Sequence, residues 1–254
     1  MRFDILTLFP SMVEFYVRES IIKRAIEAGI VDIVVTNIRD YAIDKHKCVD
    51  DYPYGGGAGM VMKIDPVYEA LQDIKQGRNT RTILLSPQGT IFNQGKAEEL
   101  FENGTDIALI CGRYEGIDER IKYIVDEEIS VGDYVLTGGE LPALIIVDTV
   151  CRLVPGVLGD ERSSREDSFS CGILDYPHYT RPPDYKGYAV PSVLLSGNHE
   201  KIRMWRRKEA LKRTLKRKPS LIEENDKLSK EDYILLKMIK EEEYDIDECG
   251  RRAV

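Results

Sequence analysis

Short apolar runs alternate along most of the chain with stretches in which apolar residues recur every three or four positions, a rhythm that predicts strands exchanging with helices. Arg2 to Phe9 reads as a buried strand. Pro10 then opens a helical stretch, and Ser20 to Ala28 places Ile21, Ile22, Ala25 and Ile26 at helical spacing before Gly29 stops it. Val31 to Ile38 is β-branched and strand-like. Asp65 followed by Pro66 reads as a cap with a first-turn proline, so a helix is expected to run to about Gly77.

The same alternation continues with a strand over Arg81 to Ser86, a helix capped by Asn93 and ending at Gly104, and a strand over Thr105 to Cys111. A short helix over Asp118 to Val125 and a strand over Glu127 to Val131 follow. Pro142 begins a helix whose apolar residues run almost all round, from Leu141 to Val154, which implies deep burial or an interface. These elements predict an α/β layer with a mostly parallel sheet.

Gly156 to Gly172 breaks the rhythm. It is polar, rich in Ser, Asp, Glu and Arg, and reads as a mobile linker. Beyond it, Asn198 is placed to cap a helix that stops before Pro219, and Ser229 with Asp232 resembles a capping box for a last helix. A length of 254 residues suits one large and one small domain.

Composition narrows the class. Hydrophobic residues at 43% and charged residues at 31% describe an ordinary globular chain. The opening MRFDILTLFP carries Asp4 inside its apolar stretch and lacks a small-residue cleavage site, so a cytoplasmic protein without a membrane partner is expected. Five cysteines (Cys48, Cys111, Cys151, Cys171, Cys249) and three histidines (His46, His178, His199) are scattered, which suggests buried reduced thiols and no dedicated metal site.

Charge adds a further distinction. The net charge is −8, yet His199 to Lys218 holds ten Lys or Arg against Glu200 and Glu209, a local +8 that leaves −16 on the rest. Such a block on one helix suits phosphate neutralisation, with Arg203, Arg206, Arg207, Lys212 and Arg213 as the candidate contacts. Trp205 inside it is either a stacking platform for a base or a core residue.

Three glycine-bearing loops follow expected strands: Tyr52 to Met60, Cys111 to Arg120, and Ser130 to Ala143. Glycine admits close backbone approach to a ligand, and α/β layers bind ligands beyond the carboxyl ends of strands. None of the loops has the ending of a phosphate-binding loop or the spacing of the dinucleotide fingerprint, so simple turn chemistry stands as the alternative.

The strings VDDYPYGGGAGM, LSPQG, CGRYEGIDER, SVGDYVLTGGELPA, RLVPGVLG, EDSF, YPHYTRP and LLSGNHEKIRMWR closely resemble the bacterial tRNA (guanine-N1)-methyltransferases, a family of the SPOUT class, in order over nearly the whole chain. The resemblance implies a knotted S-adenosylmethionine-binding catalytic domain over 1–158, a flexible linker over 159–173 and a helical tRNA-binding domain over 174–254. It also implies a deep trefoil knot, and a homodimer in which the linker and second domain of one subunit complete the other's site.

On the family pattern the methyl donor would touch Leu85, Ser86 and Pro87, then Gly112, Tyr114, Glu115 and Gly116. The third set would be Ser130, Val131, Gly132, Asp133, Tyr134, Val135 and Leu136, with Gly138, Gly139 and Pro142. The general base carried over is Asp167 in EDSF and its electrophilic partner is Arg152 in CRLVPG. Glu115 would favour the sulfonium or hold the guanine edge, and Gly59 would let the base approach. The family acts on the guanosine 3′ of the anticodon and carries an expectation of magnesium dependence. Two other readings compete: a SPOUT methyltransferase acting on ribosomal RNA or a different tRNA position, and a non-catalytic RNA-binding module that uses the basic helix.

Overall fold

The computed structural model describes residues 1–159 and 167–251, with 243–251 as backbone only. Residues 160–166 of the expected linker lie outside the described residues. The chain divides into two compact units, Met1–Glu161 and Arg162–Val254.

In the first unit, β1 (Arg2–Thr7), β2 (Asp32–Asn37), β5 (Thr80–Ile91), β6 (Asp106–Cys111) and β7 (Glu127–Ser130) form one sheet in the order β2-β1-β6-β5-β7. Every pairing in it is parallel. Parallel strands are covered on both faces, which is why the sequence shows continuous apolar runs. Side-chain alternation divides them: Phe3, Ile5, Ile83, Leu85, Ile107 and Leu109 pack in one core cluster, and Leu6, Leu84, Ala108 and Ile110 pack in another.

Helices α1 (Pro10–Val17), α2 (Ser20–Glu27), α4 (Gln94–Glu102) and α5 (Glu140–Cys151) bury residues in the first cluster. Helix α3 (Ile64–Lys75) fills the second with Val67, Ala70, Leu71 and Ile74. Polar chemistry is buried among them too. Asp4 is fully buried and held by Arg2 at 2.7 Å and Arg78 at 3.2 Å, which satisfies a carboxylate that would otherwise be costly inside a core.

The structure differs from the sequence reading in several places. Asp65 does not cap α3; Lys63 holds that position and Asp65 lies in the first turn, where its charge favours the helix dipole. Helix α5 starts at Glu140 rather than Pro142. The segment after Asp118 is a 3-10 turn over Glu119–Tyr123 rather than an α-helix. Two hairpins were not anticipated: β3 (Asp50–Asp51) with β4 (Val61–Met62), and β8 (Asp184–Tyr185) with β9 (Tyr188–Ala189). Strands of two residues are too short to show a period.

The second unit packs α6 (His199–Arg217), α7 (Ser220–Glu223) and α8 (Lys230–Arg251) with the β8–β9 hairpin, so it is not wholly helical. Its core gathers Ile173, Ala210, Leu211, Leu235, Leu236 and Ile239. The Asn198 side chain caps α6 by accepting from the Lys201 amide at 3.0 Å. Ser229 and Asp232 form the expected reciprocal box: the Asp232 amide donates to Ser229 Oγ at 3.2 Å, and the Ser229 amide donates to Asp232 Oδ2 at 2.8 Å.

Candidate active site

Three loops leave the carboxyl ends of the neighbouring strands β5, β6 and β7 and meet around one cavity of about 350 Å³. The first loop is an interruption of β5. Its register against β7 passes from Leu85↔Ile129 to Thr90↔Ile129, so residues 86–89 stand out of the ladder. Gly89 is required there: a Cβ on it would lie 2.5 Å from the backbone of Glu128 and Ile129.

The second loop holds Tyr114 at φ 59 and is tied to the β3–β4 segment by the Glu115 amide donating to Met60 O at 3.0 Å and the Met62 amide donating to Gly116 O at 2.9 Å. A Cβ on Gly59 would lie 2.5 Å from Glu115 Cγ. Gly59 and Glu115, singled out separately in the sequence, are therefore in contact. The third loop turns on Ser130, whose Oγ accepts from the Gly132 amide at 3.2 Å. It then returns to the end of β6, where the Gly139 amide donates to Gly112 O at 2.9 Å.

Leu85, Ser86, Pro87, Gly112, Tyr114, Glu115, Gly116, Ser130, Val131, Gly132, Tyr134, Val135, Leu136, Gly138, Gly139 and Pro142 all line the cavity. Asp133 does not. Five glycines, Gly112, Gly116, Gly132, Gly138 and Gly139, stand among the lining residues beside apolar and charged side chains, which suits a ligand read in part by amide and carbonyl groups.

The sequence reading missed Arg113 and Glu140. Glu140 is buried at the start of α5, and its carboxylate receives the Arg113 guanidinium at 2.9 Å and the Thr7 hydroxyl at 2.6 Å. Arg113 also donates to Thr137 O at 3.0 Å and lies 4.5 Å over the Phe9 ring. One charged network thus joins the end of β1, the loop after β6, the loop after β7 and α5. The available signal was an arginine and a glutamate inside otherwise glycine-rich loops.

Burial raises the Cys111 thiol well above its ordinary value, with Glu140 adding to the effect. Cys151 is pushed up to about 12, first by burial and then by Asp148. Both stay protonated and inert. Cys48 and Cys171 are exposed, so the expectation of buried thiols fails for those two, which sit in loop segments instead of core elements.

Arg152 follows α5 as its C-cap in the first unit. Asp167 lies in the second unit, where it lines a cavity of about 430 Å³ with Cys171, Asp175, Arg203, Arg206 and Arg207.

The basic helix is less uniformly available than its composition suggests. Arg203 is bound by Glu231 and Glu200, which raise its pKa. Arg207 makes two bonds to the buried Asp232 at 2.6 and 2.9 Å, and Lys208 meets Glu242. Arg206 instead lies 4.8 Å over the Tyr176 ring, Arg213 donates to Asp175 O at 3.4 Å, and Lys212 has no ion pair among the described residues. Trp205 is half-buried with its ring 6.4 Å from Tyr179.

Among the described residues no three His, Cys, Asp or Glu gather as a metal would need, and no helix is long and apolar enough to cross a membrane.

A family model described as tRNA (Guanine-1)-methyltransferase TrmD matches residues 1–224. Proteins named tRNA (guanine-N(1)-)-methyltransferase are similar over almost their whole length. The one from Dictyoglomus turgidum is 57% identical over 95% of this chain and 98% of its own. That of Geobacillus kaustophilus is 54% identical over 96% and 100%, and that of Moorella thermoacetica is 53% identical over 96% and 98%.

Proposed function

The chain belongs to the tRNA (guanine-1)-methyltransferase family, and from that premise we propose that it methylates N1 of the guanosine 3′ of the anticodon, position 37, in tRNA, which maintains the reading frame. The observation that carries the reading is the convergence of three loops from adjacent parallel strands on one glycine-lined cavity. It takes in every donor residue expected from the family pattern except Asp133.

S-adenosylmethionine supplies a methyl group on a cationic sulfur when bound. The cavity fits such a donor: Gly112, Gly116 and Gly132 are among its lining residues and admit close backbone approach, and Glu115 lines it as well. The target atom needs activating, because guanine N1 carries a proton and becomes nucleophilic only as that proton leaves. Asp167 accepts it, and the Arg152 guanidinium stabilises the negative charge that develops on O6. Gly59 is assigned to the guanine edge beside Glu115, whose side chain occupies the space a Cβ on Gly59 would fill.

The finer architecture belongs to the same proposal. A trefoil knot is supported by the outlooped segment 86–89 and by the return of the chain after β7 across the end of β6, where Gly139 bonds Gly112. A homodimer is supported by exposed apolar residues on two helices joined by the Tyr16 hydroxyl and Asp148, namely Phe15 on α1 and Leu141 and Ile145 on α5. Arg206, Lys212 and Arg213 are the better phosphate contacts, since Arg203 and Arg207 already hold carboxylates. The protein works in the cytoplasm.

Methyl transfer from radiolabelled donor to tRNA transcripts carrying guanosine or another base after the anticodon tests this reading. Label is expected only with guanosine, as 1-methylguanosine in the digested product. Label that ignores that base overturns the assignment.

A further inference from the structure

The second unit has a cavity of about 810 Å³ that the proposed chemistry does not use. It lies between the segment from Tyr176 to Pro183, the residue Val190, the turn at Leu194 and Leu195, and the α6 residues Ile202 and Arg206. The β8–β9 hairpin is closed beside it by the Val190 amide donating to Pro183 O at 2.8 Å.

Aromatic rings and two arginines meet in this cavity. Tyr176 and His178 have ring centroids 4.6 Å apart, and Arg206 covers the Tyr176 ring. Tyr179 is half exposed, with its ring centroid 6.4 Å from that of Trp205. Asp175 holds His178 at 2.7 Å, which fixes the orientation of that ring. Leu195, exposed at 62%, supplies apolar surface.

The charge pattern is selective. On α6 the acidic partners go to Arg203, Arg207 and Lys208, whereas Arg206 and Arg181, which line the cavity, have no ion pair among the described residues. A cleft of flat rings, proline and leucine with two unneutralised guanidinium groups at its wall matches an unstacked nucleobase with its phosphate.

Resting on the reading that tRNA is the substrate, we propose that this cavity captures one unpaired nucleotide of the tRNA other than the methylated guanosine, the base stacking on Tyr179 and the phosphate meeting Arg181 and Arg206. The second unit then reads a feature of RNA shape through an exposed base, in addition to binding phosphates along α6.

Steady-state methylation by the full-length protein tests the proposal. Tyr179→Ala is expected to raise KM for tRNA about tenfold, the order of loss seen when a stacking ring is removed, with the effect on KM rather than kcat and with donor affinity held. Tyr179→Phe keeps the ring and is expected to recover most of that loss. Arg206→Gln is expected to raise KM and to make it less sensitive to salt. A photoreactive benzoylphenylalanine at position 179 is expected to cross-link to one unpaired nucleotide. The proposal is overturned if KM stays within about twofold in both Tyr179→Ala and Arg206→Gln. It is also overturned if Tyr179→Phe loses as much as Tyr179→Ala together with a matching fall in melting temperature. Formation of 1-methylguanosine by the unaltered protein in the same assay reports separately on the parent reading.

Discussion

Arg113 and Glu140 form an ion pair at 2.9 Å in which the carboxylate is 1% exposed, and that pair locks two of the three cavity loops to the start of α5. Burying two charges is costly, and the Thr7 hydroxyl on Glu140 Oε1 and the Thr137 carbonyl on Arg113 offset part of that cost. Glu140→Ala strands the guanidinium and is expected to destabilise the protein by about 3–5 kcal/mol in denaturant titration. The double change Arg113→Met with Glu140→Leu is expected to recover most of that stability. Equal stability of Glu140→Ala and the unaltered protein would show that the pair holds nothing.

Gly139 lies against the end of β6, where an added Cβ would come within 2.6 Å of Cys111 Cα. Backbone cannot swing aside as a side chain does, so Gly139→Ala is expected to push the third loop off the second. Calorimetric affinity for S-adenosylmethionine is expected to fall more than about tenfold, a change of at least about 1.4 kcal/mol. Gly77→Ala is the control. Gly77 has φ 78 and nothing near its Cβ position, so it is expected to cost about 1 kcal/mol of stability and leave donor affinity alone.

Asp232 ties α8 to α6. Burial alone would raise its pKa, but the bonds from Arg207 and from the Ser229 amide and hydroxyl outweigh burial and hold it at about 2. A folded pKa below the unfolded one of about 3.9 means that this contribution is complete above about pH 5 and is lost as pH falls from there through about 2. Trp205, the single tryptophan, lies on α6 and reports on the second unit by fluorescence. Denaturant melts followed at Trp205 are expected to show that decline. Asp232→Asn is expected to lower stability at neutral pH and to flatten the decline; an unchanged acid profile would refute the assignment.

Asp167 is the proposed acceptor of the guanine N1 proton. Asp167→Asn is nearly isosteric and cannot take that proton, so kcat is expected to fall by about 10²- to 10⁴-fold. Donor binding, which the proposal assigns to the other unit, is expected to persist. Near-normal turnover would remove Asp167 from the mechanism.

The parts of the fold legible in the sequence are those that one or two turns of chain decide. Pro10 opens α1, Asn93 and Asn198 cap α4 and α6 by accepting from amides three residues on, and Ser229 with Asp232 closes its box across the same span. Each depends on backbone groups whose positions a helix fixes locally. The apolar runs of β1 and β6 were equally plain, because a parallel strand covered on both faces needs apolar residues at nearly every position. The glycine loops were visible as loops, and the family motifs within them named the ligand.

Tertiary structure alone decided what those pieces meet. Arg113 is 27 residues from Glu140, and Arg207 is 25 from Asp232. No local pattern records such pairings, since they depend on which loop the fold returns to the end of β6 and which helix lies beside α6. The same holds for the basic block. Its sequence supplied ten cations, but folding gave carboxylates to Arg203 and Arg207 and left Arg206 over a tyrosine ring, because acidic partners on α8 reach only part of the α6 surface. Residue chemistry along the chain therefore set the elements and the classes of ligand, and packing between distant segments set which charges remain available to bind them.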